Sequence, residues 1–281
     1  MIGVFDSGSG GLTILQELVK AFPKQDFTYL GDHANAPYGH RSNTQIVDMT
    51  TRGVEALMDQ GCSLVLLACN TAAAVALRTI QQGWLVENHP DNRVLGVLVP
   101  MIEAVTGVGW HHTEPHRCNH SDDRTVLLFA TQKTIASGAY REEVAKRAPG
   151  LTWAQKPCPG LVDAIEGGAG ERPLAGLVNG FVAEALDDMA GDDMAGHQPG
   201  AVVLGCTHFP MVEGLFQAAL PDGTEIYSQP QIVAEALSDY LGHHPEFAHE
   251  GTGTVRAFTT GDPTSLAALD MSLATFDHLE L

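Results

Sequence analysis

The sequence is poor in basic residues and in long apolar runs. It has 15 Lys and Arg against 34 Asp and Glu, which gives a net charge of −19 at pH 7. A chain this acidic lacks the basic face that a phosphate backbone requires, so nucleic acid is not an expected ligand. The longest apolar stretch, residues 64–77, is interrupted by Asn70 and Thr71 and is too short to span a membrane.

The sequence also lacks the usual cysteine patterns. Its five cysteines (62, 69, 118, 158 and 206) are an odd number at irregular spacing, and none form a CxxC pair. We therefore expect reduced thiols and a cytoplasmic protein, and no signal peptide, because residues 1–5 resemble a strand without a preceding basic segment. Residues 109–123 contain four histidines and one cysteine, but without a standard zinc spacing we expect a polar loop and no metal.

What the sequence does contain is a regular alternation of short apolar runs with helical patterns. Residues 42–61 predict a helix that begins with a capping box of Ser42 and Gln45 and ends near Gly61. Such alternation predicts an α/β fold with mostly parallel sheets, in which ligands bind beyond the carboxyl ends of the strands. The expected buried strands are 2–5, 27–30, 64–67, 94–98, 126–129, 202–204 and 255–258.

Two of these strands end in a cysteine followed by hydrogen-bonding side chains. "LVLLACNT" leads to Cys69 and "AVVLGCTH" leads to Cys206, about half the chain further on. A fainter similarity joins "GVFDSGSG" to "LLFATQKT", so we expect two related α/β halves, each with one thiol at a strand end. If the halves face each other, the thiols lie on either side of one cleft.

Two chemistries use a pair of thiols. A redox disulfide is disfavoured because it usually relies on a CxxC motif. The alternative is proton transfer at carbon, in which one thiol removes a proton from one face and the other returns a proton to the opposite face. Such a reaction inverts a stereocentre.

With these motifs the chain resembles the glutamate racemases of the cofactor-independent aspartate/glutamate racemase superfamily. The resemblance covers nearly the whole chain and is carried by seven motifs in order. They are "FDSGSGGLTIL", "GDHANAPYGHRS", "ACNTA", "ATQKTIASGAY", "CPGLVDAIEGG", "LGCTHFP" and "TTGDP". One departure is Ser9, at a position that is usually apolar in the family.

The resemblance implies a catalytic role for five residues. Cys69 would take the α-proton of D-glutamate with help from Asp6, and Cys206 that of L-glutamate with help from His208, with Glu166 behind it. The remaining implied residues would hold the substrate carboxylates and ammonium: Ser7, Pro37, Tyr38, Gly39, Asn70, Thr71, Thr131, Thr134 and Thr207.

The resemblance also implies two pseudo-symmetric domains, each a mostly parallel sheet flanked by helices, with the active site in the cleft between them. We expect residues 1–98 plus 210–281 in the first domain and residues 99–209 in the second. A homodimer that uses no cofactor and supplies D-glutamate for peptidoglycan is implied as well. The alternatives are racemisation of aspartate, a hydantoin or a maleate-type diacid, and a non-catalytic binding protein.

Overall fold

The computed structural model describes residues 1–110, 124–191, 198–249, 251–266 and 275–281. The chain divides into two compact units, one made of Met1–Val97 with Val233–Leu281 and the other of Leu98–Ile232. The predicted second boundary at 209/210 differs from this division, because the segment that follows it contributes a strand to the second sheet. The histidine-rich stretch lies, from residue 111 onward, outside the described residues, as does the end of the acidic repeat at 187–196.

The strands in chain order are β1 (Ile2–Asp6), β2 (Phe27–Gly31), β3 (Leu64–Leu67), β4 (Arg93–Gly96), β5 (Thr125–Ala130), β6 (Thr152–Pro157), β7 (Pro199–Gly205), β8 (Glu225–Tyr227), β9 (Val255–Thr259) and β10 (Phe276–His278). The helices are α1 (Leu12–Ala21), α2 (Asn43–Asp59), α3 (Asn70–Gln82), α4 (Trp84–Asn88), α5 (Leu98–Thr106), α6 (Gln132–Ser137), α7 (Ala139–Arg147), α8 (Leu161–Glu166), α9 (Glu171–Gly191), α10 (Glu213–Ala219) and α11 (Gln229–His243).

Each unit is built on one parallel sheet. The first has the strand order β10-β9-β2-β1-β3-β4 and the second the order β6-β5-β7-β8. The central strands β1, β3 and β5 are buried along their whole length, as expected for parallel strands covered on both faces. The predicted α/β fold class with two mostly parallel sheets is therefore confirmed.

Helix α2 shows how the sequence specifies packing on the first sheet. The predicted capping box is present, with the Ser42 hydroxyl accepting from the Gln45 amide and the Gln45 side chain accepting from the Ser42 amide. Gly53 brings the helix close to the sheet, since a Cβ atom there would lie 2.2 Å from the ring of Phe5 on β1. Only a residue without a side chain allows this approach.

The sequence-based assignment misplaced one strand and missed three. The run 94–98 is strand only to Gly96, and α5 begins at Leu98. The missed strands β6, β8 and β10 all lie at sheet edges, where one side of the strand is unpaired and the apolar signal is weak. In the described part of the chain no helix has the length and apolarity that crossing a membrane would require.

The two units repeat one arrangement around their central strands. In the first, the amide of Asp32 donates to the carbonyl of Asp6 at 2.9 Å; in the second, the amide of Cys158 donates to the carbonyl of Ala130 at 2.9 Å. On the other side of the central strand, β3 and β7 each lead directly to one of the two candidate thiols. This register matches Asp6 with Ala130, as the similarity between "GVFDSGSG" and "LLFATQKT" predicts.

Candidate active site

Cys69 lies at the carboxyl edge of the first sheet, as the N-cap residue of α3. Its Sγ atom is 3.2 Å from the hydroxyl oxygen of Ser7 and accepts a hydrogen bond from the amide of Ala72 at 3.4 Å. Only 6% of the residue is exposed. Amide and hydroxyl donors at a helix N-terminus stabilise a thiolate over a thiol, so this position suits a cysteine that gives and takes a proton.

Asp6 ends β1 beside the strand that leads to this thiol. The amide of Ala68 donates to the carbonyl of Phe5 at 2.8 Å, which places Asp6 alongside the peptide that precedes Cys69. The Asp6 side chain is fully buried, and its Oδ1 atom accepts from the amide of Gly8 at 2.8 Å. A buried carboxylate at this edge needs such a donor.

Tyr38 begins the short 3₁₀ turn of residues 38–40 and makes a contact that the sequence did not reveal. Its hydroxyl donates to Oδ2 of the buried Asp32 at 2.6 Å. Burial, followed by the charge of Asp32, raises the pKa of Tyr38 well above its usual range, with smaller effects from Cys69 and Asp6. Tyr38 is therefore a neutral donor at any physiological pH.

Asp32 itself is a residue that sequence reasoning missed. It also accepts from the side-chain amide of Asn35 and, at 2.7 Å, from the hydroxyl of Thr260. The available signal is an acidic residue directly after the buried strand β2. Its partners could not be inferred, because Thr260 is 228 residues away in the chain.

The other predicted substrate residues of the first unit lie in two places. Asn70 and Thr71 form the first turn of α3 and are both buried. Pro37 follows a cis peptide bond and precedes a 3₁₀ turn of residues 38–40 that contains Gly39. A Cβ atom at Gly39 would meet nothing within 4 Å, so this glycine leaves open space beside the backbone.

The second candidate thiol, Cys206, follows β7 and is 5% exposed. Its Sγ atom is 3.9 Å from Nδ1 of His208, and Nε2 of His208 is 2.8 Å from Oε1 of Glu166, the last residue of α8. A carboxylate oxygen only accepts hydrogen bonds, so Nε2 carries the hydrogen, and Nδ1 of the neutral ring is left as an acceptor towards the thiol. The order thiol, imidazole, carboxylate is a proton-handling arrangement.

Three threonines complete the predicted set at this edge of the second sheet. Thr131 caps α6, with its hydroxyl accepting from the amide of Thr134 and donating to that residue's hydroxyl at 3.0 Å. Thr134 and Thr207 are buried. Hydroxyls at a strand end are suitable ligands for a carboxylate or an ammonium group, which is the role predicted for them.

The surroundings of Cys206 include two buried groups that stay protonated. Burial, followed by the charge of Cys206, raises the pKa of both the Cys158 thiol and the Tyr140 hydroxyl above their usual ranges. Neither group is therefore suited to act as a base near neutral pH. Among the described residues, no group of three or more His, Cys, Asp and Glu could hold a metal ion.

The structure thus gathers the predicted residues into two sets, one in each unit. The first set is Asp6, Ser7, Pro37, Tyr38, Gly39, Cys69, Asn70 and Thr71; the second is Thr131, Thr134, Glu166, Cys206, Thr207 and His208. Each set combines one thiol, one carboxylate and several small hydrogen-bonding groups. Such a set can exchange a proton with a polar small molecule.

Comparison with known proteins gives a consistent picture. No protein-family profile matches the chain. It is 46% identical over 269 residues to a protein named glutamate racemase from Jannaschia sp. (strain CCS1), covering 95% of this chain and 93% of that protein. Its structure is similar to that of a glutamate racemase isoform from Bacillus anthracis, with a TM-score of 0.82, 27% identity, and coverage of 100% of this chain and 97% of the other.

A second similar structure contains a bound amino acid. It is the glutamate racemase from Francisella tularensis in complex with D-glutamate. The TM-score is 0.79 and the identity 25%, with coverage of 100% of this chain and 96% of that one.

Proposed function

This chain belongs to the glutamate racemase family, and we propose that it interconverts L- and D-glutamate with Cys69 and Cys206 as opposed acid and base. The observation that carries the proposal is the repetition found in the fold. Two thiols occupy equivalent strand ends, and we assign each its own helper, Asp6 for Cys69 and the His208–Glu166 pair for Cys206.

In the proposed reaction one proton is removed from the α-carbon and another is added to its opposite face. With D-glutamate, the Cys69 thiolate removes the α-proton and the Cys206 thiol donates its proton to the opposite face, which gives L-glutamate and a Cys206 thiolate. The reverse reaction begins from that thiolate. Free cysteine has a pKa of about 8.5, so both forms are accessible near neutral pH with modest help from neighbours. The reaction requires both thiols to reach one α-carbon.

The two thiols have different helpers because the two units have different residues at matching positions. Asp6 lies on β1, where the second unit has Ala130 instead. His208 is two residues beyond its thiol, where the first unit has Thr71 beyond Cys69. We assign each helper to proton exchange with its own thiol, Asp6 directly from the strand end and His208 through Nδ1 with Glu166 orienting the ring.

Substrate binding is assigned to the hydroxyls, amides and backbone of the two sets. In the proposed complex, Ser7, Tyr38, Asn70, Thr71, Thr131, Thr134 and Thr207 bind the carboxylates and the ammonium, with Pro37 and Gly39 forming the turn beside Tyr38. The relative with bound D-glutamate supports this choice of substrate over aspartate, a hydantoin or a diacid. A non-catalytic binder would have no use for two thiols with matched helpers.

The cellular role follows from the product. We propose that the protein is a cytoplasmic homodimer that supplies D-glutamate for peptidoglycan. Expression of the chain in a bacterium that requires added D-glutamate should restore growth without the supplement. Light scattering of the purified protein should give twice the mass of the 29.9 kDa chain.

The decisive experiment is a chiral assay on metal-free protein with each enantiomer of glutamate and of aspartate. We expect glutamate to racemise from both sides, unaffected by a chelator and without an absorbing cofactor. Cys69→Ala and Cys206→Ala should each abolish turnover, while Cys62→Ala should retain it, because this buried cysteine belongs to neither set. Racemisation of aspartate alone, or activity that survives both active-site substitutions, would refute the proposal.

A further inference from the structure

We propose that His33 is a positioning residue, which holds the loop between β1 and α1 in the shape that places Ser7 against Cys69. The inference rests on the proposed function, because the loop's task is to support the Cys69 thiol. His33 lies in the loop that follows β2 and belongs to neither set of predicted site residues.

The His33 ring connects a loop and three strands of the first unit. Its Nε2 atom is 3.0 Å from the hydroxyl of Ser9, in the glycine-rich loop after β1. Its Nδ1 atom is 2.9 Å from the hydroxyl of Thr259, at the end of β9, and 3.0 Å from the carbonyl of Gly31. The ring of Phe276 on β10 meets it edge-on at 5.8 Å between centroids. Segments far apart in the chain are thus connected through one side chain.

The hydrogen-bond roles follow from the carbonyl. The Gly31 oxygen only accepts, so Nδ1 must carry a hydrogen for this contact to be favourable. In the neutral ring Nε2 is then an acceptor, and the Ser9 hydroxyl donates to it. This explains the polar residue at position 9, where the family resemblance leads us to expect an apolar one: Ser9 has a specific partner in His33.

Packing also restricts the ring to its place. A Cβ atom at Gly31 would lie 2.3 Å from Cε1 of His33, so the ring lies directly against the backbone of β2. On its other side, a Cβ atom at Gly261 would lie 3.0 Å from Cβ of His33. A residue confined between two glycines has little freedom to move, which makes it an effective anchor for the loop.

The anchored loop is the one that contacts the thiol. Ser9 is preceded in the chain by Gly8, whose carbonyl accepts from the hydroxyl of Tyr29 at 2.7 Å. Ser7, next in the chain, has its hydroxyl 3.2 Å from Sγ of Cys69. The loop is therefore held by Tyr29 on β2 and by His33, while Ser7 at its other end contacts the thiol. His33 acts on the reaction through Ser9 and Ser7.

A double-mutant cycle tests this role. The variants are Ser9→Ala, His33→Phe, which keeps a ring to pack against Phe276, and the two combined. We expect each single substitution to lower kcat/KM by about three- to tenfold, the range of one hydrogen bond, and the double variant to lose no more than His33→Phe alone. His33→Gln, whose amide reaches towards Ser9, should restore part of the loss.

A second readout is independent of catalysis. Ionised thiols react with iodoacetamide, and peptide mass spectrometry separates the rates at Cys69 and Cys206. The His33 and Ser9 variants should slow modification of Cys69 by about three- to tenfold, because its thiolate loses a positioned donor, and leave Cys206 unchanged. Matched controls are His243→Phe, at the exposed end of α11, and Ser265→Ala, which should alter neither measurement.

The outcomes separate the two proposals. An inactive wild-type protein would refute the proposed function, and the Cys69 modification rate would still decide the role of His33. Additive losses in the cycle, an unchanged Cys69 rate, or an equal slowing of Cys206 would each overturn the positioning role. If His33→Phe fails to fold, Ser9→Ala removes only a partly buried hydroxyl and carries the test alone.

Discussion

Glu166 and His208 form a direct carboxylate–imidazole hydrogen bond at the edge of the second sheet, with Oε1 2.8 Å from Nε2. The side chain of His208 is 6% exposed and that of Glu166 is 30% exposed. The buried ring is therefore oriented by a carboxylate that remains partly in solvent. Because this bond fixes which ring nitrogen faces Cys206, it makes a testable contribution to proton transfer.

Glu166→Gln should lower kcat/KM by about three- to tenfold. The amide can still contact Nε2 but without the charge that stabilises a developing imidazolium, and partial exposure of Glu166 reduces the effect. The loss should be equal in both directions, since the enantiomers have the same free energy in water. Asp163→Asn, an exposed carboxylate on the same helix, is the control and should be neutral. Full activity in Glu166→Gln would remove Glu166 from the mechanism.

Thiol modification should distinguish the four described cysteines. Burial raises the pKa of Cys62 and Cys158, so both should resist iodoacetamide in the native protein. Cys69 and Cys206 should react, and saturating glutamate should protect both. Peptide mass spectrometry with and without glutamate measures this directly. Equal labelling in the two conditions would contradict a substrate site at the two strand-end thiols.

Much of the fold could be predicted because the buried parallel strands carry their own signal. Leu64–Leu67 is observed with the predicted bounds, and the capping box at Ser42 places the start of α2 to the residue. Edge strands such as β6 were missed because half-buried residues include Gln155 and Lys156, which no apolar pattern detects. The sequence signal is strongest where both faces of a strand are covered.

The candidate site was predictable for its residues but not for its supporting contacts. Both thiols were recognisable from a cysteine that follows an apolar run and precedes hydrogen-bonding residues. The bonds of Thr260 to Asp32 and of His33 to Thr259 depend on segments brought together only by the sheet order. Sequence spacing carries no trace of such pairs, so their discovery needs the folded chain.

Tyr38→Phe should change stability in a pH-dependent way. At neutral pH the buried Asp32 loses one donor, which should lower the free energy of unfolding by about 1–3 kcal/mol. The raised pKa of Tyr38 means that the folded protein keeps this proton while the unfolded chain releases it above about pH 10. The contribution is therefore complete below pH 10 and declines above it.

The measurement is urea unfolding between pH 7 and 11. Above pH 10, Tyr38 should make wild-type stability fall by about 1.4 kcal/mol per pH unit, and Tyr38→Phe should remove that part of the slope. Tyr140→Phe should remove a similar part, because burial raises the pKa of Tyr140 too. Parallel curves for Tyr38→Phe and wild type would show that the hydroxyl ionises equally in both states.

The last prediction concerns the division of labour between Cys69 and Cys206. Serine is too weakly acidic to replace either thiol. Loss of one general base typically slows a reaction by about 100- to 10,000-fold, and Cys69→Ser and Cys206→Ser should each lower the rate of racemisation by more than this. Exchange of the α-proton can survive, because the remaining thiol can remove a proton and return a deuteron on its own face.

Incubation in heavy water makes this exchange visible. By the family assignment Cys69→Ser should incorporate deuterium only into L-glutamate, slowly and with retention, and Cys206→Ser only into D-glutamate. Mass and chirality of each enantiomer are measured together after incubation. If either variant exchanges both enantiomers at similar rates, one thiol serves both faces of the carbon and the opposed-base mechanism is wrong.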